Sequence, residues 1–381
     1  MEQSGPAPHD GVNPYAPPVA VNPYAPPGGE PHAVPPATPS ATANSATTYP
    51  IEFTATAGEY FRIWIVNLAL TILTLGIYSA WAKVRKKRYF YGHTLIDGDC
   101  FEYRAKPLAI LKGRIIAVAL FAAYSFGGKI SPVLGGVFAL LLGFAMPWLI
   151  VRSLAFNARN SAYRNIRFDF HGRYGEMLKL LIGGGLLVII SLGIGYPYLK
   201  ARLVRFAARY HSFGATEFAL GDITRSFYGV YLKAFGLAVL GFALIGALAG
   251  ALGVFAGKLG FSADVVMFVL VAYATYLLVY AYIHARSTNV TWNALAVGPL
   301  SFECTLGARR LAGIYLVNIL AIIVTLGLAT PWAVVRTMRY RAEHLTVHAP
   351  GGLANFTGAE AANLSATGGE VSEMFDIDFG L

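Results

Sequence analysis

Charge is scarce in this chain. Lys, Arg, Asp and Glu together make up 13% of its 381 residues, about half the ~25% of an ordinary soluble domain. A water-facing surface needs more than that, so the shortage excludes a conventional soluble protein. Acids are the scarcer sign, 20 against 30 bases, for a net charge of +10. Within the apolar segments the only acid is Asp264, at a helix start, which argues against an ion-coupled transporter built on a buried carboxylate relay. Cysteine is nearly absent: Cys100 and Cys304 have no partners at metal-ligand spacing and make no disulfide framework. There is no Gly-x-Ser-x-Gly elbow, no phosphate-binding Gly-x4-Gly-Lys loop and no His-Glu-x2-His zinc helix. The sequence therefore predicts a non-enzyme without cofactor or metal.

What is present is apolar: 56% of the residues are hydrophobic. About 20 such residues in a helix cross ~30 Å of hydrocarbon, and seven segments approach or exceed that length: 60–82, 115–128, 130–151, 177–199, 230–256, 263–283 and 313–335. Residues 1–50 differ, with 13 of the 20 prolines and no Lys or Arg; this composition predicts a disordered tail without the features of a signal peptide. The expected organisation is thus a tail over 1–50, a membrane domain over 51–350 and a C-terminal tail over 351–381. In that last tail Phe375, Ile377 and Phe379 alternate with Asp376 and Asp378. Such a strand pattern makes it the best candidate for docking a protein partner by β-augmentation.

One unit repeats five times. An aromatic residue is followed four positions later by arginine in Trp81/Arg85, Trp148/Arg152, Tyr198/Arg202, Tyr282/Arg286 and Trp332/Arg336. Twenty residues after the aromatic stands Phe101, Phe168, Phe218 or Phe302, while the fifth copy has Gly352. An acid follows three of these phenylalanines: Glu102, Asp169 and Glu303. Upstream, Thr74-Leu75-Gly76, Ser191-Leu192-Gly193 and Thr325-Leu326-Gly327 keep register, and Pro147, Pro197 and Pro331 directly precede their aromatics. Each unit reads as a membrane helix, a proline kink, an amphipathic basic helix and a short β-hairpin, the clearest around the Asp97-Gly98 turn signal. The fold class expected is mainly α: a multi-pass transmembrane helical bundle with internal repeats and short cytoplasmic β-hairpins.

The run Ile63-Trp64-Ile65-Val66-Asn67-Leu68, and the stretch from Thr74-Leu75-Gly76 through Trp81, Lys83, Arg85, Lys86, Lys87 and Arg88 to Gly92, resemble the YjgN family of bacterial inner-membrane proteins, a domain of unknown function. The resemblance covers residues 51–350, with Ala80 where that family carries proline. It implies a multi-pass inner-membrane location and brings no catalytic residue.

Of the 30 Lys and Arg residues, 27 lie in the five motif regions; Arg62, Lys129 and Lys258 are the others. The positive-inside rule would place all five motifs in the cytoplasm. Only one apolar segment separates motifs two and three, and likewise four and five. Seven crossings, the favoured reading, put motifs three and four outside against that rule; the alternative is re-entry at the Thr/Ser-Leu-Gly turns.

The motif residues, with Arg88, Arg205 and Arg339 behind them, are candidate interfacial anchors or headgroup contacts, and the repeat acids are expected to pair with the motif arginines. Asn67 and Asn318 are candidate polar intramembrane residues. The partners expected are anionic membrane lipids at the cytoplasmic face and a protein on the C-terminal tail, with no nucleic acid, because the bases flank apolar helices instead of forming a soluble patch. The leading function is a scaffold or a lipid- or partner-binding protein; the alternative is a transporter or channel lined by Asn67, Asn318, Thr74 and Thr325.

Overall fold

The computed structural model describes residues 46–255 and 261–366. The partner-tail candidates Phe375, Asp376, Ile377, Asp378 and Phe379 lie outside the described residues. In chain order the elements are β1 (Ala46–Phe53), α1 (Ala57–Leu73), α2 (Ser79–Gly92), β2 (Thr94–Ile96), β3 (Asp99–Tyr103), α3 (Pro107–Ile130), α4 (Pro132–Arg159), β4 (Ser161–Tyr163) and β5 (Ile166–Phe170). There follow α5 (Tyr174–Ile190), α6 (Tyr196–Arg209), β6 (His211–Phe213), β7 (Thr216–Leu220), α7 (Thr224–Phe255), α8 (Phe261–Asn293), β8 (Leu295–Val297), β9 (Leu300–Cys304), α9 (Ala308–Val324), α10 (Thr330–Ala342), β10 (Leu345–Pro350) and α11 (Leu353–Ala366).

The ten strands close into one antiparallel barrel. This corrects the expected helical bundle with separate β-hairpins. A two-stranded hairpin is marginal in water and leaves two unpaired edges; joining the hairpins edge to edge removes every edge at once. Closure is made by β1, which pairs with β10 over Ala46–Pro50 and with β2 over Ile51–Phe53. The strand therefore changes neighbour at Pro50, the residue that has no amide hydrogen to give, and it begins inside the stretch whose composition predicted a tail.

Barrel closure explains the Phe repeat. Phe101, Phe168, Phe218 and Phe302 all pack into the barrel core around Tyr163, Ile166, Phe213 and Val347. The base of each helix pair is pinched by an equivalent backbone bond: Thr54 N–H to His93 O at 3.0 Å, and likewise Arg104 to Asn160, His171 to Tyr210, Gly221 to Ala294 and Thr305 to His344 at 2.9–3.0 Å. Each phenylalanine lies three residues before its donor. The same step back from Thr54 lands on Ile51, which also packs on this core, and the following Glu52 takes the acid position. The phenylalanine missing from copy five is thus replaced from the other end of the chain, because a closed ring makes β1 the successor of β10.

The junctions of the strands with helices α1 to α10 fall at one rim of the barrel, and the short turns fall at the other. Turn residues Asp97 and Gly98 have φ of 53° and 78°, and Arg164 and Asn165 have 49° and 62°. Arg164 is held there by Asp97 at 2.8 Å and Asp99 at 2.5 Å. This turn end is capped by α11, which lies in the segment expected to be a tail. Phe356 stacks on Phe213 at 6.0 Å, and the buried Glu360 accepts from Ala215 N–H at 2.8 Å and the Thr216 hydroxyl at 2.5 Å.

From the junction rim project five antiparallel helix pairs. Each helix packs on the one before and the one after, and α10 meets α1 to complete a ring. The motifs all sit on the even-numbered helices returning to the rim, so motifs three and four lie on the same side as the others; the seven-crossing arrangement does not fit this geometry. Among the described residues four helical stretches are long and apolar enough to cross a membrane, at Pro107–Ile130, Pro132–Arg159, Thr224–Ala247 and Phe268–Asn293. The other three pairs are short and turn at the Thr/Ser-Leu-Gly sequence.

Those turns are one construction built three times. Leu75, Leu192 and Leu326 have φ near +50°, and the glycines after them have φ of 91–95°, a region most side chains avoid at a cost of ~1–2 kcal/mol. The hydroxyl at the head of each turn accepts from the amide four residues on: Thr74 from Tyr78 at 2.9 Å, Ser191 from Gly195 at 2.7 Å and Thr325 from Ala329 at 2.9 Å. The same hydroxyl donates to the carbonyl four residues back, and the glycine amides reach back five residues. The three leucines are 93–95% exposed, so an apolar tip has the amide hydrogens of its turn bonded from within. The expected proline kinks are absent from these pairs: Pro197 and Pro331 open new helices, while Pro147 lies inside a continuous α4.

Candidate functional site: an arginine collar above the barrel

The interval from each motif arginine to the next strand is constant. Arg85, Arg152, Arg202, Arg286 and Arg336 each lie nine residues before the first residue of β2, β4, β6, β8 or β10. At 1.5 Å per residue the five guanidinium-bearing positions form one level about 13 Å above the rim. The aromatics Trp81, Trp148, Tyr198, Tyr282 and Trp332 form a second level about 20 Å above it. Ring and cation meet directly in two copies: the guanidinium lies 5.1 Å from the ring centre in Arg202/Tyr198 and in Arg336/Trp332, and Arg202 Nε donates to the Tyr198 hydroxyl at 3.0 Å. Arg85 Nε and Arg336 Nη1 are buried without a hydrogen-bond acceptor among the described residues. Donors in that state lack an acceptor from within the chain.

The repeat acids do not supply it, contrary to expectation. Glu102 pairs with Arg104 at 2.8 Å, Asp169 with Arg159 at 2.9 Å and with His171 at 3.2 Å, and Glu303 with His348 at 3.2 Å. These acids stand on the strands, below the rim, and the collar lies a further ~13 Å above it.

The second row of basic residues has a different job. Arg88, Arg205 and Arg339 lie six residues before their strands, and each clasps the next strand–helix junction. Arg88 donates to Tyr103 O and Ala105 O at 3.2 and 3.1 Å, Arg205 meets Asp222 at 2.7 Å, and Arg339 donates to Ala55 O at 2.9 Å. In copy four the place is taken by Asn289, whose amide group bonds both Leu306 N–H and Leu306 O at 3.0 Å. That residue had no signal in the sequence, since asparagine does not match a basic pattern. These four are structural clasps. Beside Arg205, Asp222 has its carboxyl held below the usual range by the Thr224 amide and hydroxyl and by the guanidinium.

The collar also opens onto a cleft. Around Arg286 a space of about 690 Å³ is bounded by Asp222, Ser226, Asn293 and the Cys304–Gly307 backbone. The histidines serve locally: His93, His211 and His344 each bond the carbonyl four residues back at 2.5–2.8 Å, and no cluster suited to a metal ion occurs among the described residues. Asn67 and Asn318 are both buried. Asn318 Nδ2 donates to Ala333 O at 3.2 Å and to Thr337 Oγ1 at 3.0 Å, which ties α9 to α10. Thr74 and Thr325 are engaged in their own turns, so these hydroxyls do not line a path.

Comparison with known proteins completes this picture. The profile of the bacterial proteins of unknown function DUF898 matches residues 48–374, a span running from β1 past α11. An inner membrane protein YjgN of Salmonella typhimurium LT2 is 22% identical over 347 residues, which are 77% of this chain and 87% of that protein. The inner membrane protein YjgN of Escherichia coli K12 is 31% identical over 125 residues, 31% of this chain and 30% of that relative. No solved structure matches. A match across nearly the whole barrel and all five helix pairs settles the affiliation: this chain belongs to the DUF898 family of bacterial proteins of unknown function, with inner membrane proteins named YjgN among its relatives.

Proposed function

We propose that the protein is a non-enzymatic, multi-pass component of the inner membrane, with its barrel on the cytoplasmic side and its arginine collar on anionic lipid headgroups. The observation that carries this reading is the common level of the five arginines. Distances measured from that level agree with a bilayer. In copies two and four the helix extends 20 and 25 residues beyond Arg152 and Arg286, about 30 and 38 Å, enough to cross a ~30 Å hydrocarbon core. In copies one, three and five Leu75, Leu192 and Leu326 lie ten residues beyond their arginines, about 15 Å or half the core.

On this reading the chain crosses four times and re-enters three times. Every motif then stays on one side, and the conflict with the positive-inside rule disappears. Lys129, an outlier in the charge pattern, ends α3 at the far tip of a long pair, where it snorkels to the opposite face. In the three re-entrant tips the amide hydrogens of the turn are all bonded within the chain, which lowers the cost of irregular backbone at membrane depth.

Basic residues at a membrane surface are attracted to anionic lipid by about 1 kcal/mol each. Purified protein in nanodiscs of phosphatidylglycerol should therefore unfold at a higher temperature than in phosphatidylcholine. Replacing all five collar arginines by glutamine should abolish the difference. Equal midpoints of the unaltered protein in the two lipids would refute headgroup contact.

A further inference from the structure

Between α8 and the α9/α10 pair lies a second cleft, of about 420 Å³, and its chemistry changes from one end to the other. Its end away from the barrel is mostly apolar, formed by Leu277, Ile319, Ile322 and Val334, with the Thr330 hydroxyl there turned to Gly327 O at 2.6 Å. At the barrel end stands Arg341, which donates to His284 Nε2 at 2.6 Å and has no carboxylate partner among the described residues. A guanidinium carries five donors, so most of its capacity is free. Between these ends Asn318 lines the cleft, 5% exposed. Its two bonds, to Ala333 O and Thr337 Oγ1, fix which end of the amide is nitrogen, because a carbonyl can accept only from N–H. The remaining atom, Oδ1, is buried with no donor. An amide oxygen so placed is costly unless something brings it a hydrogen.

The cleft therefore asks for three things in a fixed order: an anion, a hydroxyl or amide donor about one helical turn deeper, and a single apolar chain. Thr337, which Asn318 bonds, lies four residues before Arg341, about 6 Å along α10. We propose that this cleft binds a single-chain anionic amphiphile with a free hydroxyl next to its charged group, the chemistry of a lysophospholipid. The phosphate sits on Arg341, the glycerol hydroxyl donates to Asn318 Oδ1, and the acyl chain lies along Ile319 and Ile322. A diacyl phospholipid meets this order less well, since its glycerol backbone has no free hydroxyl. The collar plays no part in this site, and the inference does not depend on it.

The test uses 1-palmitoyl lysophosphatidic acid and its 2-O-methyl ether, titrated against the full protein by native mass spectrometry from a neutral detergent. The free alcohol should bind one to one and about tenfold more tightly than the ether, the usual scale for leaving one buried acceptor unpaired. Asn318→Leu should bring the alcohol down to the affinity of the ether and leave the ether unchanged, and Arg341→Gln should weaken both. Equal binding of alcohol and ether to the unaltered protein overturns the proposal whether or not the variants fold. Glutamine at the five collar arginines should leave the alcohol-to-ether ratio intact; loss of the ratio there would move the site to the collar and also overturn it.

Discussion

Phe213→Ala is expected to destabilise the barrel by about 3–5 kcal/mol, the range for removing a buried aromatic ring from a well-packed core. Phe213 is 5% exposed and touches rings from three other elements: Tyr163 of β4 at 6.5 Å, Phe168 of β5 at 5.0 Å and Phe356 of α11 at 6.0 Å. No neighbour can swing in to fill the space, because each is itself held in the ring of repeat phenylalanines. The cap should loosen with the core, so protease should cut after the barrel in the variant sooner than in the parent. Phe235→Ala on α7 is the control. That ring is 67% exposed and faces lipid on the present account, so its loss should change protease resistance little.

Thr325→Val is expected to cost about 1–3 kcal/mol, the penalty seen in proteins for a polar group buried without its hydrogen bond. The substitution preserves shape and removes both bonds of the hydroxyl, leaving the Ala329 amide unpaired at the tip of a pair proposed to re-enter the membrane. Water would rescue that amide at an exposed loop, whereas hydrocarbon does not. Thr325→Ser should restore the parent stability, since Ser191 already makes the equivalent bonds in copy three. Denaturation in detergent by increasing sodium dodecyl sulfate would measure the three side by side. If valine and serine prove equivalent, the tip is solvated and the depth assigned to it is wrong.

Much of this architecture was written in the repeat, and what was missed has physical causes. The aromatic-x3-Arg motif, the phenylalanine twenty residues on and the hydroxyl-Leu-Gly turn were all visible as spacings. Their meaning was not, because strands of three to five residues say nothing about which strand they join. The pairing of β1 with β10 brings residues about 300 apart together, and no local pattern announces it. The gap at Gly352 carried the clue: a linear repeat loses its last phenylalanine, whereas a ring borrows Ile51. Hairpin edges gave a second, since five isolated two-stranded units would each leave edges open.

The hydroxyl-Leu-Gly turns are hard to read from sequence for a similar reason. Leucine at positive φ is unfavourable in isolation, so a Leu-Gly pair reads as a weak turn until the hydroxyl bonds are seen. Sequence spacing carries no height, so it matches the acids to the motif arginines; counting residues back from each strand puts the collar well above them. Among the candidate anchors, Arg88, Arg205 and Arg339 turned out to clasp junctions, and Asn289 shows that the clasp needs hydrogen bonds more than charge.

In the proposed topology all five helix pairs leave and return on the side where the barrel lies, and one labelling experiment tests this. With Cys100→Ser and Cys304→Ala as background, single cysteines are placed by Ala215→Cys in the β6–β7 turn, Pro299→Cys in the β8–β9 turn and Val133→Cys at the far tip of the α3/α4 pair. A membrane-impermeant maleimide should label the Val133→Cys variant in intact spheroplasts, and the other two only after the membrane is opened. Labelling of the Ala215→Cys or Pro299→Cys variant from outside intact spheroplasts would place the turns of copies three and four beyond the membrane and contradict the account.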